Sequence, residues 1–278
     1  MMATDKSLMV KILGYMGMIV AILFIGLPLV FIVLTSFKTQ SEIYTQPVTW
    51  LPSQLNVDNY VDVFKRVPFL DYFRNSIIIT IILCAVKIIL GVISAYALAI
   101  LRFPGRNLVF LLVISALMVP SEVTVISNYA LVSQLGWRDT YQGIIVPLAG
   151  IAFGTFLMRN HFMSIPSELI EAARMDHCGH MRLLWKVLLP ISTPTLVAFS
   201  MITIVNEWNQ YLWPFLMAET ENSATLPIGL TMLQNNEGVS NWGPVMAATI
   251  MTMLPVLLMF LALQQYMIKG LISGAVKG

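Results

Sequence analysis

The feature that most limits this chain is a set of long apolar runs with almost no charge in them. A helix needs roughly 20 apolar residues to cross a bilayer core about 30 Å thick. Charge-free blocks of that order lie around 12–35, 107–121, 140–158, 187–206 and 238–268, and a further block, 75–101, is interrupted only by Lys87. With 58% hydrophobic and 11% charged residues arranged in blocks instead of alternating, the chain falls outside the soluble globular class. The expected fold is an all-α integral membrane protein with six transmembrane helices, at about 12–36, 76–101, 107–131, 141–158, 191–217 and 244–268, in one transmembrane domain over 1–278. Within 107–131, Pro120 and Glu122 predict a kink or a frayed turn inside one helix.

Lys and Arg near span ends stay on the cytoplasmic side, and their distribution orients the chain. With both termini inside, the inner set is Lys6, Lys11, Arg102, Arg106, Arg159, Arg174, Arg182, Lys186, Lys269 and Lys277. Outside lie only Lys38, Lys65, Arg66, Arg74 and Arg138, together with the acids Glu42, Asp58, Asp62, Asp71, Asp139, Glu219, Glu221 and Glu237. Both termini are therefore expected in the cytoplasm. The first block is too long for a secretory signal core and lacks a small-residue cleavage site, so it reads as a retained span.

The outer loop 38–75 is polar, with Pro47, Pro52 and Pro68, and reads as an ordered cap. Its end, Val67 to Asn75, predicts a short interfacial helix with Phe69, Tyr72 and Phe73 at headgroup depth. Cys84 lies mid-span and Cys178 in an inner loop, so they do not pair. His161, His177 and His180 gather near Cys178 without zinc-site spacing, so no metal site is expected. With all three histidines outside the spans, no nucleophile–base pair is placed for catalysis, and the chain is not read as an enzyme.

The longest inner segment, 159–190, carries its own helix punctuation. Ser164 caps, Pro166 suits a first turn, Glu168 and Glu171 sit near the positive end of the helix dipole, and Ala172 and Ala173 are strong helix formers. Leu169, Ala172 and Ala173 fall at i, i+3 and i+4 and make a narrow face of small side chains. Glu171 and Arg174 are neighbours three apart, placed to pair with each other or with a partner. The helix, expected over 165–177, ends before Gly179. Leu183, Leu184, Val187 and Leu188 then begin a second helix that Pro190 interrupts.

At these residues the chain resembles the membrane subunits of bacterial ATP-binding-cassette importers. Their cytoplasmic loop carries a Glu-Ala-Ala, Gly, Ile-x-Leu-Pro pattern, met here by Glu171-Ala172-Ala173 and by Val187-x-Leu189-Pro190. The Gly position holds His177, with Gly179 two residues later, so either His177 takes a disfavoured backbone conformation or the turn shifts to Gly179. The segments Arg102–Asn107, Phe156–Arg159, Trp208–Pro214 and Gly274–Gly278 resemble the carbohydrate-uptake branch, above all the second permease of sn-glycerol-3-phosphate and glycerophosphodiester importers. The resemblance implies a type I importer permease in the bacterial inner membrane with a coupling helix between spans 4 and 5. Its implied partners are a related permease, two ATPase subunits and an extracytoplasmic solute-binding protein. The chain itself would bind no cofactor, ATP and Mg2+ belonging to the ATPase subunits. The implied ATPase-coupling residues are Glu168, Leu169, Glu171, Ala172, Ala173, Arg174, Asp176, His177 and Gly179.

Polar groups inside a membrane are costly and mark a path or an interhelical bond. Lys87, Glu122, Asn206, Glu207, Trp208, Asn209, Tyr211 and Trp213, with Gln210, are the candidates for a solute pathway. Aromatic faces beside amides suit a polyol or sugar, and Lys87 would suit a phosphate. The opposing reading pairs Lys87 with Glu122 or Glu207 between helices and makes the tryptophans interface anchors. The expected solute is glycerol 3-phosphate or a glycerophosphodiester. The alternatives are a di- or oligosaccharide on the same machinery and, further off, an ion-driven secondary transporter, although no internal repeat supports the last.

Overall fold

A computed structural model describes the backbone of residues 3–234 and 241–275 and the side chains of 10–234 and 241–266. Glu237 and Val276–Gly278 lie outside the described residues, as do the side chains of Lys6 and Lys269. All regular elements among the described residues are helical. In chain order they are α1 (Ala3–Ser36), α2 (Gln40–Ile43), α3 (Asp58–Arg66), α4 (Phe69–Ile100), α5 (Arg106–Ser115), α6 (Ser121–Gln134), α7 (Tyr141–Leu148), α8 (Ala152–Ser164) and α9 (Ser167–Met175). They continue with α10 (His180–Leu183), joined by a π-helical stretch (Leu184–Leu188) to α11 (Leu189–Ile191), then α12 (Thr193–Trp208), α13 (Leu212–Met217), α14 (Leu226–Gln234) and α15 (Trp242–Ala275). Three stretches are long and apolar enough to cross a membrane, Val10–Ser36, Phe69–Ile100 and Trp242–Tyr266, and the number rises to six if each of three bent helix pairs is one span.

The bent pairs depart from the simple expectation. Pro120 does not kink a single helix. The chain ends α5 in a 3-10 turn, Ala116–Met118, passes through an extended Val119, and starts α6 at an angle of 94°. Proline disfavours helical geometry at the residue before it, and at Val119, which is extended, that restriction separates two helices. A second pair, α7 and α8, bends by 43°. In the third, the run His180–Ile191 meets α12 at 82°. Residues 191–217, expected as one helix, hold the last residue of α11, then α12 and α13, with breaks at Ser192 and at 209–211.

The residues fall into two compact units, Met1–Phe69 with Gly229–Met253, and Leu70–Ile228 with Leu254–Gly278. In the first, α1 exposes apolar side chains all round from Val10 to Val33, and only its last residues, Thr35 and Ser36, are buried within the chain. The loop after it is tightly bonded. Thr39 and Glu42 form a capping box on α2, the Asn59 amide donates to the Ser36 and Lys38 carbonyls at 2.8 Å each, and the buried Lys38 ammonium donates to the Thr49 carbonyl. Hydrogen bonds from the Ser53 hydroxyl and from the Thr39 and Ser53 backbone hold the Glu42 carboxyl down at about 2.

The expected interfacial helix at 67–75 does not form separately. Phe69, Tyr72 and Phe73 are the first turn of the unbroken α4, and Tyr72 is fully buried.

In the second unit α4, α8 and α12 meet at a close crossing. A Cβ on Gly91 would stand 3.2 Å from the Gly154 Cα, a tight contact, and one on Gly154 would enter the ring of Phe199, so the crossing is closest at Gly154. The Ser94 and Thr155 hydroxyls hydrogen-bond across the crossing at 2.6 Å. At the far end, Asn75 donates to the Asn222 and Ala224 carbonyls and accepts from the Tyr141 hydroxyl. Asp139, at φ 56°, accepts from the Glu219 and Thr220 N–H groups and from the Thr220 and Ser223 hydroxyls. Burial pushes the Asp139 carboxyl up, but these bonds outweigh it and hold it below the usual carboxylate range.

Candidate functional site

The loop between α8 and α12 builds one candidate surface. α9 starts after Pro166 and ends at Met175, shorter at both ends than the expected 165–177. Its C-terminus closes as a Schellman motif: the Cys178 N–H donates to the Ala173 carbonyl and the His177 N–H to the Arg174 carbonyl, at 3.1 and 3.0 Å. His177 takes the left-handed conformation itself, φ 52°, while Gly179 stays extended with φ −65°. The turn therefore stays at the family's Gly position and does not shift.

Ala173 faces inward, contrary to its place on the expected docking face. It is buried with Leu183, Leu184 and Leu188 against Val92 and Tyr96 of α4, Met158 and Phe162 of α8, and Phe199 of α12. The small-residue spacing fits either side of the helix, and packing chose Ala173 for the core. Glu168, Leu169, Glu171, Ala172, Arg174, Asp176, His177 and Gly179 remain exposed. Among the described residues, Glu171 and Arg174 form no ion pair with each other. Sequence reasoning missed Met175, 81% exposed, and the neighbouring exposed Met181 and Trp185. The available signal was their polar company: large apolar groups left out of a core beside charges mark a contact surface. Of the histidines, His161 bonds to Thr195 at 3.0 Å and His180 to the Tyr96 hydroxyl at 2.8 Å.

The pathway candidates separate into two places. Lys87 of α4 donates to Glu207 of α12 at 2.6 Å, with side-chain exposures of 18% and 6%. This ion pair is one of the two pairings the sequence allowed, and it commits Lys87 to a carboxylate. Trp208 is buried edge-on against Phe73, and Trp213 is buried with its indole N–H donating to the Gly143 carbonyl at 3.1 Å. Tyr211 stacks on Phe215, Asn209 bonds back to the Val205 carbonyl, and Asn206 is exposed.

Glu122 and Gln210 come together instead in a hollow of about 100 Å³, with Ser121, Thr124 and Asn128 as its other polar lining groups and the Trp213 ring as a wall. The hollow draws on residues beside two of the bent pairs, at the start of α6 and the end of α7, and beside the separate break between α12 and α13. Non-helical backbone at membrane depth is tolerated where it lines a cavity or is buried in protein, so breaks and polar side chains belong together. Glu122 does lie near Ser121 and Asn128, the neighbours the sequence offered it, whereas Thr124 was not singled out, because no single span shows that these breaks converge.

Residues 87–272 match the family described as binding-protein-dependent transport system inner membrane component, and the chain belongs to that family. It is an integral membrane permease subunit of ATP-binding-cassette importers of the carbohydrate-uptake type, and the ion-driven alternative falls. One similar relative is the sn-glycerol-3-phosphate transport system permease protein UgpE of Pectobacterium atrosepticum, 35% identical over 94% of this chain and 96% of that protein. Another is the arabinooligosaccharides transport system permease protein AraQ of Halalkalibacterium halodurans, 34% identical over 90% of this chain and 91% of that protein. A bacterial ABC transporter involved in the import of the acidic polysaccharide alginate has a chain similar in structure, with TM-score 0.83 and 25% identity over 94% of this chain and 97% of that one.

Proposed function

We propose that this chain forms half of the translocation path of an ATP-driven importer, with both termini in the cytoplasm and α9 docked on an ATPase subunit. The partners would be a sister permease, two ATPase subunits that hold ATP and Mg2+, and an external solute-binding protein. The observation that carries this reading is the anchoring of α9. Its exposed face offers Leu169, Glu171, Ala172 and Met175, while Ala173 and the leucines of 183–188 fix it to α4, α8 and α12. A push on α9 therefore moves three helices as one body, as rigid-body alternation between inward- and outward-facing states requires. The chain would carry motion and part of the path, and no catalysis.

For the solute we propose glycerol 3-phosphate or a glycerophosphodiester, with the glycerol hydroxyls at the Glu122–Asn128–Gln210 hollow. A carboxylate, two amides and two hydroxyls suit hydroxyl groups, and the phosphate would meet the sister subunit, because Lys87 is held by Glu207. The lack of a cation among the residues lining the hollow favours a second reading, an oligosaccharide. The test is ATPase activity of the assembled complex in nanodiscs, with its binding protein loaded in turn with glycerol 3-phosphate, a glycerophosphodiester and an oligosaccharide. Stimulation by the phosphate-bearing ligands supports the first reading. Stimulation by the oligosaccharide alone replaces it with the second.

A further inference from the structure

The arginine-rich end of α4 faces a concave surface that adjoins the docking face and shares Glu171 with it. Arg102 and Arg106, after α4, and Ser167, Glu171 and Arg174, on α9, line a cleft of about 290 Å³. Three guanidinium groups against one carboxylate leave it two positive charges in excess. Arg106 has a structural task, since its Nη1 donates to the Ala99 and Leu101 carbonyls at 3.3 and 3.2 Å and so caps the C-terminus of α4. Among the described residues the Arg102 and Arg174 guanidinium groups have no hydrogen-bond or ion-pair partner.

Arg102 and Arg106 also border an adjoining hollow of about 600 Å³, together with Phe103 and Leu108. From there α5 presents Leu108, Leu111 and Leu112, each more than 60% exposed. Unpaired cations at the end of a span, opening directly onto an apolar helix face, match a molecule with an anionic head and hydrocarbon tails. We propose that this cleft binds the headgroup of an anionic phospholipid, with Arg102 and Arg174 on the phosphodiester and an acyl chain along the leucines of α5. A zwitterionic lipid brings its own ammonium and gains little from two surplus positive charges.

The test uses the whole complex in phosphatidylcholine nanodiscs with and without phosphatidylglycerol, and native mass spectrometry to count phosphatidylglycerol retained on the permease. The variant is Arg102→Gln with Arg174→Gln, leaving Arg106 to cap α4. The parent should retain phosphatidylglycerol and the double variant should bind it about thirtyfold more weakly, since each arginine near an anionic surface contributes a factor of roughly five. Unfolding temperature of both proteins in phosphatidylcholine should coincide, separating lipid loss from misfolding. Equal lipid retention by the variant would overturn the proposal. Displacement of the lipid by inorganic phosphate would reassign the cleft to a free anion, and loss of ATPase subunits with lipid retained would reassign it to a protein contact. Because lipid retention is counted directly, the result is independent of which solute stimulates the ATPase.

Discussion

Removing Lys87 alone should destabilise the protein far more than removing Lys87 and Glu207 together. The two side chains meet at 2.6 Å with 18% and 6% exposure, and Glu207 Oε2 already lacks a hydrogen-bond partner among the described residues. In Lys87→Met, the Glu207 carboxylate stays buried without its cation, a loss that costs about 3–5 kcal/mol in buried pairs. In Lys87→Met with Glu207→Leu, both desolvated charges are gone and the helices meet through side chains of similar volume, a change that ranges from neutral to stabilising by about 1–4 kcal/mol. The double-mutant cycle should therefore be strongly non-additive, with a coupling of at least about 3 kcal/mol. Reversible unfolding in mild detergent, followed by circular dichroism for the parent, both single variants and the double variant, measures it. Additive effects, or a Lys87→Met variant as stable as the parent, would refute the reasoning and return Lys87 to the list of groups free to meet a solute.

Three further outcomes are expected. His177→Gly relieves a left-handed residue at the end of α9 at the expense of a more flexible unfolded chain, for a net gain of about 0.5–1 kcal/mol; hydrogen exchange at Asp176–Cys178 should slow, and faster exchange would contradict the cap. Gly154→Ala drives a methyl into the Phe199 ring and should cost about 1–3 kcal/mol, partly recovered by adding Phe199→Leu; an unchanged unfolding midpoint would show that the crossing is looser than described. The Asp139 clamp depends on pH: a carboxyl depressed in the fold adds stability above its unfolded value, about 3.9, and loses it only as pH falls through the lower folded value. Exchange at the Glu219 and Thr220 amides should thus keep its protection at pH 5 and lose it only in stronger acid.

Much of the architecture is legible because bilayer partition depends on composition, which a linear sequence shows directly. The uninterrupted α4 and α15 are plain in the apolar blocks. The 94° break at Pro120 is not, because the missing N–H and the restricted Val119 show where a helix fails, while the angle comes from what each half packs against. At α9 the Glu-Ala-Ala signature located the helix, yet the inward turn of Ala173 depends on leucines at 183–188 that only the folded loop brings beneath it. The Lys87–Glu207 bond joins residues 120 apart in sequence. Charge alone offered Glu122 as an equal partner, and the fold sent Glu122 to the hollow with Gln210 instead.

The measurement closest to the central claim is site-specific cross-linking from α9 in the assembled complex. A photoreactive label on a cysteine at Leu169→Cys or Ala172→Cys should join the permease to an ATPase subunit, with a yield that changes when ATP binds, while the same label at Leu111→Cys, exposed on α5, should not. Labels at Leu169 and Ala172 that never reach an ATPase subunit, in a complex whose four subunits co-purify, would contradict the assignment of α9 as the element that receives the motion.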